Sequence, residues 1–379
     1  MAEHAGAVKG RVLSWTVEGQ HFGTEHERAT RSEVSRRLAA LKHFDFAGEF
    51  DAALHPGNAS RPGPCYFVPS DTLHVDTAAA LGIRGPDDLF GGVVPHLFVA
   101  SKIITHPLVH PDAARPEGWA ERFGHAVAGA TLRGFSAFTR ADAQQGGQHL
   151  LPDGEVRVKP ARSAGGKDQY VVADAAELAR RLDALDPEEL RAWGVVLEEN
   201  LIDPVIHSVG QVRVGSIVAS YYGVQRETRS NRNHVIYGGT DMHMVRGDFD
   251  VLLRQPLSPG VRRAVEQASA YHEAVIDCYP GFFASRINYD VAQGNNRRGE
   301  RCSGVLEQSW RIGGATGAEI AALEAFQLHA DRFVVRASCV EAYGGMAPPP
   351  GTTVYFHGHD PEIGPITKYA FVNPDADPD

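Results

Sequence analysis

The chain has 379 residues, 43% hydrophobic and 22% charged, with a formal net charge of −10. That length predicts two or three domains and buries enough apolar surface to need neither disulfides nor a structural metal; no run approaches the roughly 18 apolar residues of a membrane helix. The negative balance argues against nucleic-acid binding, and the start MAEHAGAVKG lacks the apolar core of a signal peptide, so a cytoplasmic enzyme or binding protein with no membrane attachment is expected.

Residues 1–100 read as a compact α/β domain. Arg11–Trp15 reads as a strand, Thr24–Phe44 as a helix with Val34, Leu38 and Leu41 at helical spacing, and Cys65–Val68 as a buried strand with a helix start at Pro69-Ser-Asp71. A second unit, 101–203, begins near Lys102. Val156–Lys159 alternates as a strand, Ser163–Lys167 is a glycine-bearing turn, and Tyr170–Val172 is a further strand. Asp174 caps an amphipathic helix, and Gly194–Glu198 is a third strand. The third unit, 204–346, carries a hairpin turning at Gly215 and a long helix from Ser258-Pro259 to Cys278. Strands Phe283–Val291 and Gly304–Arg311 follow, joined by the polar loop Gln293–Ser303, and then a helix from Thr316 to about His329. From Ala347 the proline, glycine and acid content predicts an irregular tail, 347–379.

Chemistry-bearing residues concentrate in three segments. Only six of the 37 basic residues are lysines, and one of them, Lys159, ends a strand just before the glycine turn that holds Lys167. An ammonium delivered beside backbone N–H groups suits a polyphosphate, although no Walker sequence is present. The apolar strand Val195–Leu201 ends in Glu198 and Glu199, and its edge suits an adenine ring. In Gly304–Gly314, strand alternation puts Glu307, Ser309 and Arg311 on one face, as it does Arg286, Asn288 and Asp290 on the preceding strand. Carboxylates with neutral oxygens are ligands for Mg²⁺, which takes its remaining ligands from water and phosphate. Each segment alone also reads as ordinary structure: a turn, a core strand, a solvated sheet face.

In this order the segments resemble the ATP-grasp superfamily, the carboxylate–amine ligases and their relatives, over roughly residues 100–330. The whole chain is also similar to an uncharacterised bacterial ATP-grasp-like family. The resemblance implies an α/β fold: two α+β lobes gripping ATP behind a shortened N-terminal α/β domain. It implies that Lys102, in Ser101–Thr105, and Lys159 hold phosphates, that Ser163, Gly165, Gly166 and Lys167 cover them, and that Glu198 with the Leu201 backbone holds adenine. Glu307-Gln-Ser-Trp-Arg311 with Gly313-Gly314 resembles the stretch E-x-N-x-R-x-G-G. Glu307 and Asp290, with Asn288 and Ser309, would hold Mg²⁺, while Arg286 and Arg311 would neutralise the substrate carboxylate and developing charge.

Two positions depart from that pattern. Ser309 stands where the stretch has asparagine, and Asn288 where the R-x-D pattern has its carboxylate; Asp290, two residues on, shares the face of Asn288 and is the substitute. The implied reaction is ATP-dependent activation of a small carboxylate as an acyl phosphate, followed by attack of an amine. An ATP-binding regulator or scaffold is the alternative. So is a biotin-carboxylase-like enzyme, whose carrier would be a separate protein because no Met-Lys-Met occurs. The partners implied are small molecules, and a homodimer is compatible. Elsewhere, His21 and His26 read as surface histidines, and His357-Gly-His359-Asp360 as a weak transition-metal candidate. Gln225–Arg232 is a polar segment leading toward the cleft. Four scattered cysteines without a C-x-x-C pair exclude a zinc ribbon.

Overall fold

In the computed structural model, which describes residues 9–17, 23–51, 63–162 and 169–373, β1 (Arg11–Trp15), β2 (Asp45–Glu49) and β3 (Cys65–Pro69) pair in parallel in the order β2-β1-β3. The helix Glu25–Lys42 connects the first two. Thr24 and Glu27 form its capping box, and Val34, Leu38 and Leu41 are its buried apolar stripe. The helix predicted at Asp71 starts later. Leu73–His74 is instead a short strand (β4) parallel to β5 (Gly92–Val94), and His74 caps the helix Val75–Ala80.

Two 3-10 turns, Leu97–Ala100 and Lys102–Thr105, lead from this domain toward a four-stranded antiparallel sheet. It comprises β6 (Gly134–Ala137), β7 (Val156–Pro160), β8 (Tyr170–Val172) and β9 (Val195–Glu199), in the order β6-β9-β7-β8. Val156, Val158, Val195 and Leu197 pack under Leu150, Leu178 and Leu182 of the covering helices. Period-2 alternation therefore turns Lys159, Val196 and Glu198 to the other face.

The remaining strands build the large sheet. β10 (Ile202–Val214) and β11 (Ile217–Arg229) form the predicted hairpin about Gly215, followed by β12 (Val235–Arg246). β13 (Phe283–Ala284) pairs with β5, tying the N-terminal strands to this region. β14 (Arg286–Asn295) and β15 (Arg301–Ser309) form a hairpin whose loop is shorter than the polar stretch predicted, because Gln293–Asn295 and Arg301–Ser303 extend the ladder. The long helix Pro259–Cys278 is capped by Ser258 as expected.

The irregular tail is a correction. After β16 (Val334–Tyr343), residues Thr353–Asp360 (β17) and Gly364–Val372 (β18) form a hairpin that pairs on β16. They complete an eight-stranded antiparallel sheet, β15-β14-β10-β11-β12-β16-β18-β17. The helix Thr316–Leu328 and the N-terminal helix Glu25–Lys42 share a core with this sheet, through Leu323, Phe326, Val34, Leu38, Tyr355 and Ala370. No helix among the described residues is long and apolar enough to cross a membrane.

Candidate functional site

The register of β14 and β15 decides which side chains meet. Asp290 lies directly opposite Glu307, and Asn288 opposite Ser309, so two carboxylates face one another across neighbouring strands. Burial, and then the charge of Glu307, push the Asp290 carboxyl up to about 6. Hydrogen bonds oppose that rise: Asn288 Nδ2 donates to Asp290 Oδ1 at 3.0 Å and Ser208 Oγ at 3.3 Å. Gln225 Nε2 backs Ser208 Oγ at 2.9 Å, so of the polar segment Gln225 reaches this site, while Arg226 pairs with Asp241 and Arg229 with Asn233. Burial works against the charged form of Glu307 too, but the ammonium of Lys102, 2.8 Å from Oε2, outweighs it and holds this carboxyl below its ordinary range.

Lys102 is brought there by the turn Lys102–Thr105, which Gln308 pins down. Gln308 Nε2 donates to the carbonyls of Val99 and Ser101, at 2.8 Å each, while its Oε1 accepts from Tyr271 at 3.0 Å. Lys159 is the second buried ammonium. It stands opposite Val196, two residues from Glu198 on the same face, and its Nζ donates to Glu198 Oε1 at 2.7 Å. The other oxygen of Glu198 accepts from His106 Nε2 at 3.0 Å. Burial alone would raise the Glu198 carboxyl, yet Lys159 and His106 bring it down to about 2. Burial lowers Lys159 in turn, and Glu198 opposes that. Lys102 and Glu307 both act on Lys159 electrostatically, so the two ion pairs lie close enough to feel one another where the small sheet approaches β15.

Other expected residues are placed differently from one another. The Glu198 carboxylate, expected at adenine, is buried and meets Lys159 through one oxygen and His106 through the other. Leu201 is buried with Leu132 and Ala292 where the chain passes from β9 to β10. Arg286 is 1% exposed and bound to Glu319, with Nε 3.1 Å from each carboxylate oxygen and Nη2 2.8 Å from Oε1. Its Nη1 donates to the carbonyls of Ser309 and Arg311, at 3.1 and 2.6 Å. The expected role for Arg286 at a substrate carboxylate is therefore corrected: it fastens β15 from beneath. Ser309 Oγ accepts from the same Nη1 at 3.3 Å, and Asn288 Oδ1 lies 2.9 Å from the Tyr221 hydroxyl. Both candidate neutral metal ligands are thus held in the protein's own network. Arg311 is more exposed than Arg286, with Nε 3.9 Å from Asp71 Oδ1. Ser163, Gly165, Gly166 and Lys167 lie outside the described residues.

His106, Glu319 and Tyr221 were missed by the sequence reading. The one signal for His106 was its position four residues after Lys102; Glu319 looks like any helical acid. His26 is no surface histidine. It is 7% exposed, and its Nδ1 meets the buried Asp360 at 3.0 Å, fixing the N-terminal helix to β17. That use of Asp360 removes it from the His357–Asp360 metal candidate, and among the described residues no group of three or more His, Cys, Asp or Glu side chains could hold a metal. Gly314 packs against Tyr237, where a Cβ on the glycine would meet the ring at 2.4 Å.

Known proteins can now be set beside this geometry. The family described as "Protein of unknown function (DUF3182)" matches residues 14–370. The chain belongs to this family. No curated protein matches. Among solved structures, N5-carboxyaminoimidazole synthetase from Staphylococcus aureus is similar with a TM-score of 0.56 at 9% identity, covering 97% of this chain and 95% of that one. Biotin carboxylase from Campylobacter jejuni reaches 0.53 at 11%, covering 95% and 87%. Phosphoribosylamine–glycine ligase from Thermotoga maritima reaches 0.52 at 13%, covering 96% and 92%. The fold is the ATP-grasp fold, α/β as the sequence implies.

Proposed function

We propose that this protein is an ATP-dependent ligase that activates a small carboxylate as an acyl phosphate for attack by an amine. The observation that carries the reading is the pairing of each buried lysine with an acid at the shared cleft, Lys159 with Glu198 and Lys102 with Glu307. Buried ammonium groups held by carboxylates at a cleft are poised to take phosphate oxygens instead. Solved relatives of this fold include an ADP complex of N5-carboxyaminoimidazole synthetase and a MgADP complex of a biotin carboxylase domain.

In this reading Lys102 and Lys159 bind phosphates, and Ser163, Gly165, Gly166 and Lys167 cover them. The backbone at Leu201 receives adenine, while Glu198 orients Lys159. Asp290 and Glu307 hold the divalent cation. Their donor set would fit one, because the charge of Glu307 raises the proton affinity of the facing Asp290 and a dication, with phosphate and water as its other ligands, would relieve it. The cation supplies charge neutralisation along the phosphates. Arg311 neutralises the substrate carboxylate. That carboxylate attacks the γ-phosphorus as ADP leaves, and the amine then attacks the acyl carbon as phosphate leaves. Arg286 serves by fixing β15 rather than by touching substrate.

Trapping tests the chemistry. Small carboxylates screened with Mg-ATP and hydroxylamine are expected to yield a hydroxamate, ADP and phosphate; AMP with pyrophosphate would refute the acyl phosphate. The engagement of Asn288, Ser309 and Arg286 in the internal network favours a second reading, an ATP-binding regulator without turnover. Nucleotide binding with no substrate-dependent ADP release would select it.

A further inference from the structure

His106 is fully buried, yet half of its polar capacity is unused. Its Nε2 reaches Glu198, while Nδ1 has no hydrogen-bond partner among the described residues. A carboxylate only accepts, so Nε2 carries the hydrogen in this contact. An imidazole nitrogen buried without a partner is a cost that an apolar side chain of similar size avoids. Packing therefore does not explain the ring; the bond on its other side does.

The surrounding backbone is shaped for that bond. Gly134 on β6 is paired with Glu198 on β9, so the missing Cβ of Gly134 faces the same side as the carboxylate. A Cβ there would stand 2.8 Å from both His106 Cε1 and Nδ1. The ring lies against this bare Cα and meets Glu198 at 3.0 Å. On the far side, Glu198 holds Lys159 at 2.7 Å. The same short segment carries Lys102, whose ammonium meets Glu307. Thr105, between them, meets the Tyr271 hydroxyl at 3.2 Å, which is bonded to Gln308. One rigid turn thus sets both lysines of the cleft, Lys102 directly and Lys159 through His106 and Glu198.

We propose that His106 is a positioning residue for nucleotide binding: its Nε2–H fixes the Glu198 carboxylate, which in turn aims the Lys159 ammonium at a nucleotide phosphate. The proposal rests on the nucleotide-binding reading above. Without the ring, Glu198 keeps only its bond to Lys159, and the ammonium loses its fixed direction. Leucine at 106 fills the space but donates nothing, whereas glutamine carries an amide N–H close to the position of Nε2.

The test is the affinity of Mg-ADP, measured by calorimetry on the full chain. His106→Leu is expected to weaken binding about tenfold or more, as loss of a hydrogen bond to a buried charge does, and His106→Gln to restore it to within about threefold of wild type. Equal affinity in His106→Leu and wild type overturns the proposal, as does His106→Gln binding as poorly as His106→Leu while folded. Should His106→Leu not fold, ¹⁵N-histidine NMR of the wild type decides. Saturating Mg-ADP should shift the His106 ring nitrogens, because phosphate at Lys159 changes the field at Glu198; an unmoved resonance overturns the role. A wild type that does not bind Mg-ADP refutes instead the nucleotide-binding reading and the proposal resting on it.

Discussion

Asp290→Asn should make the unliganded protein more stable at neutral pH while removing its response to Mg²⁺. The Asp290 carboxyl sits near 6 instead of 3.8, first because it is buried and then because Glu307 faces it. A carboxyl raised in the folded state contributes stability that is fully present below its unfolded pKa and lost as pH rises through its folded one. The loss therefore accumulates between about pH 4 and 6 and persists above. At 1.36 kcal/mol per pH unit it has a ceiling of about 3 kcal/mol, trimmed by the partial exposure of Asp290. Asparagine does not titrate and keeps an Oδ1 to accept from Asn288 and Ser208. Urea midpoints taken without metal or nucleotide should thus coincide near pH 4, with the variant ahead by up to about 3 kcal/mol at pH 8. Adding Mg-ADP at pH 8 should reverse the order, because a ligand bound only to the folded state stabilises in proportion to its saturation. A difference that is constant across pH would refute the opposed-carboxylate argument. Equal Mg-ADP stabilisation in the two proteins would remove Asp290 from the cation site.

Lys159→Met should abolish the rise in melting temperature produced by Mg-ADP. It should also lower unliganded stability by about 3–5 kcal/mol, since Glu198 is left buried with one partner; thermal melts with and without ligand read both effects. Glu319→Gln should cost a similar amount, about 3–5 kcal/mol in urea unfolding, because the buried Arg286 guanidinium loses its only carboxylate ion pair among the described residues. In an ADP-release assay with a carboxylate identified by trapping, Glu307→Gln should lower turnover by orders of magnitude. Asn288→Ala should cost about tenfold or less, as it removes no charge, only the hydrogen bonds to Asp290 and from the Tyr221 hydroxyl.

Local chemistry made much of this protein legible in its sequence. Thr24, Asp174 and Ser258 each announce a helix start because the cap is satisfied within three residues. Period-2 alternation places Asn288, Asp290, Glu307 and Ser309 on shared faces whatever the strands pair with. The order of the lysine, hinge and carboxylate segments was enough to suggest the ATP-grasp fold, because that order belongs to the chain itself. Composition misled at the C-terminus. Proline and glycine mark the turns around β17 and β18, and polar His357 and His359 suit a strand at the sheet's edge.

Tertiary structure alone decided which charges are spent and which remain in the cleft. Glu198 looks available until Lys159, 39 residues away, and His106, 92 residues away, take its two oxygens. Arg286 looks catalytic until Glu319, 33 residues on in a helix, closes over it. Asp290 faces Glu307 because the β14–β15 register shifts just beyond that pair, between Asp290 and Val291; the turn-side register continued unshifted would put Tyr289 there, which alternation along either strand cannot reveal. A buried charge is defined by its partner and by the water it has lost, and neither is a property of its neighbours in sequence.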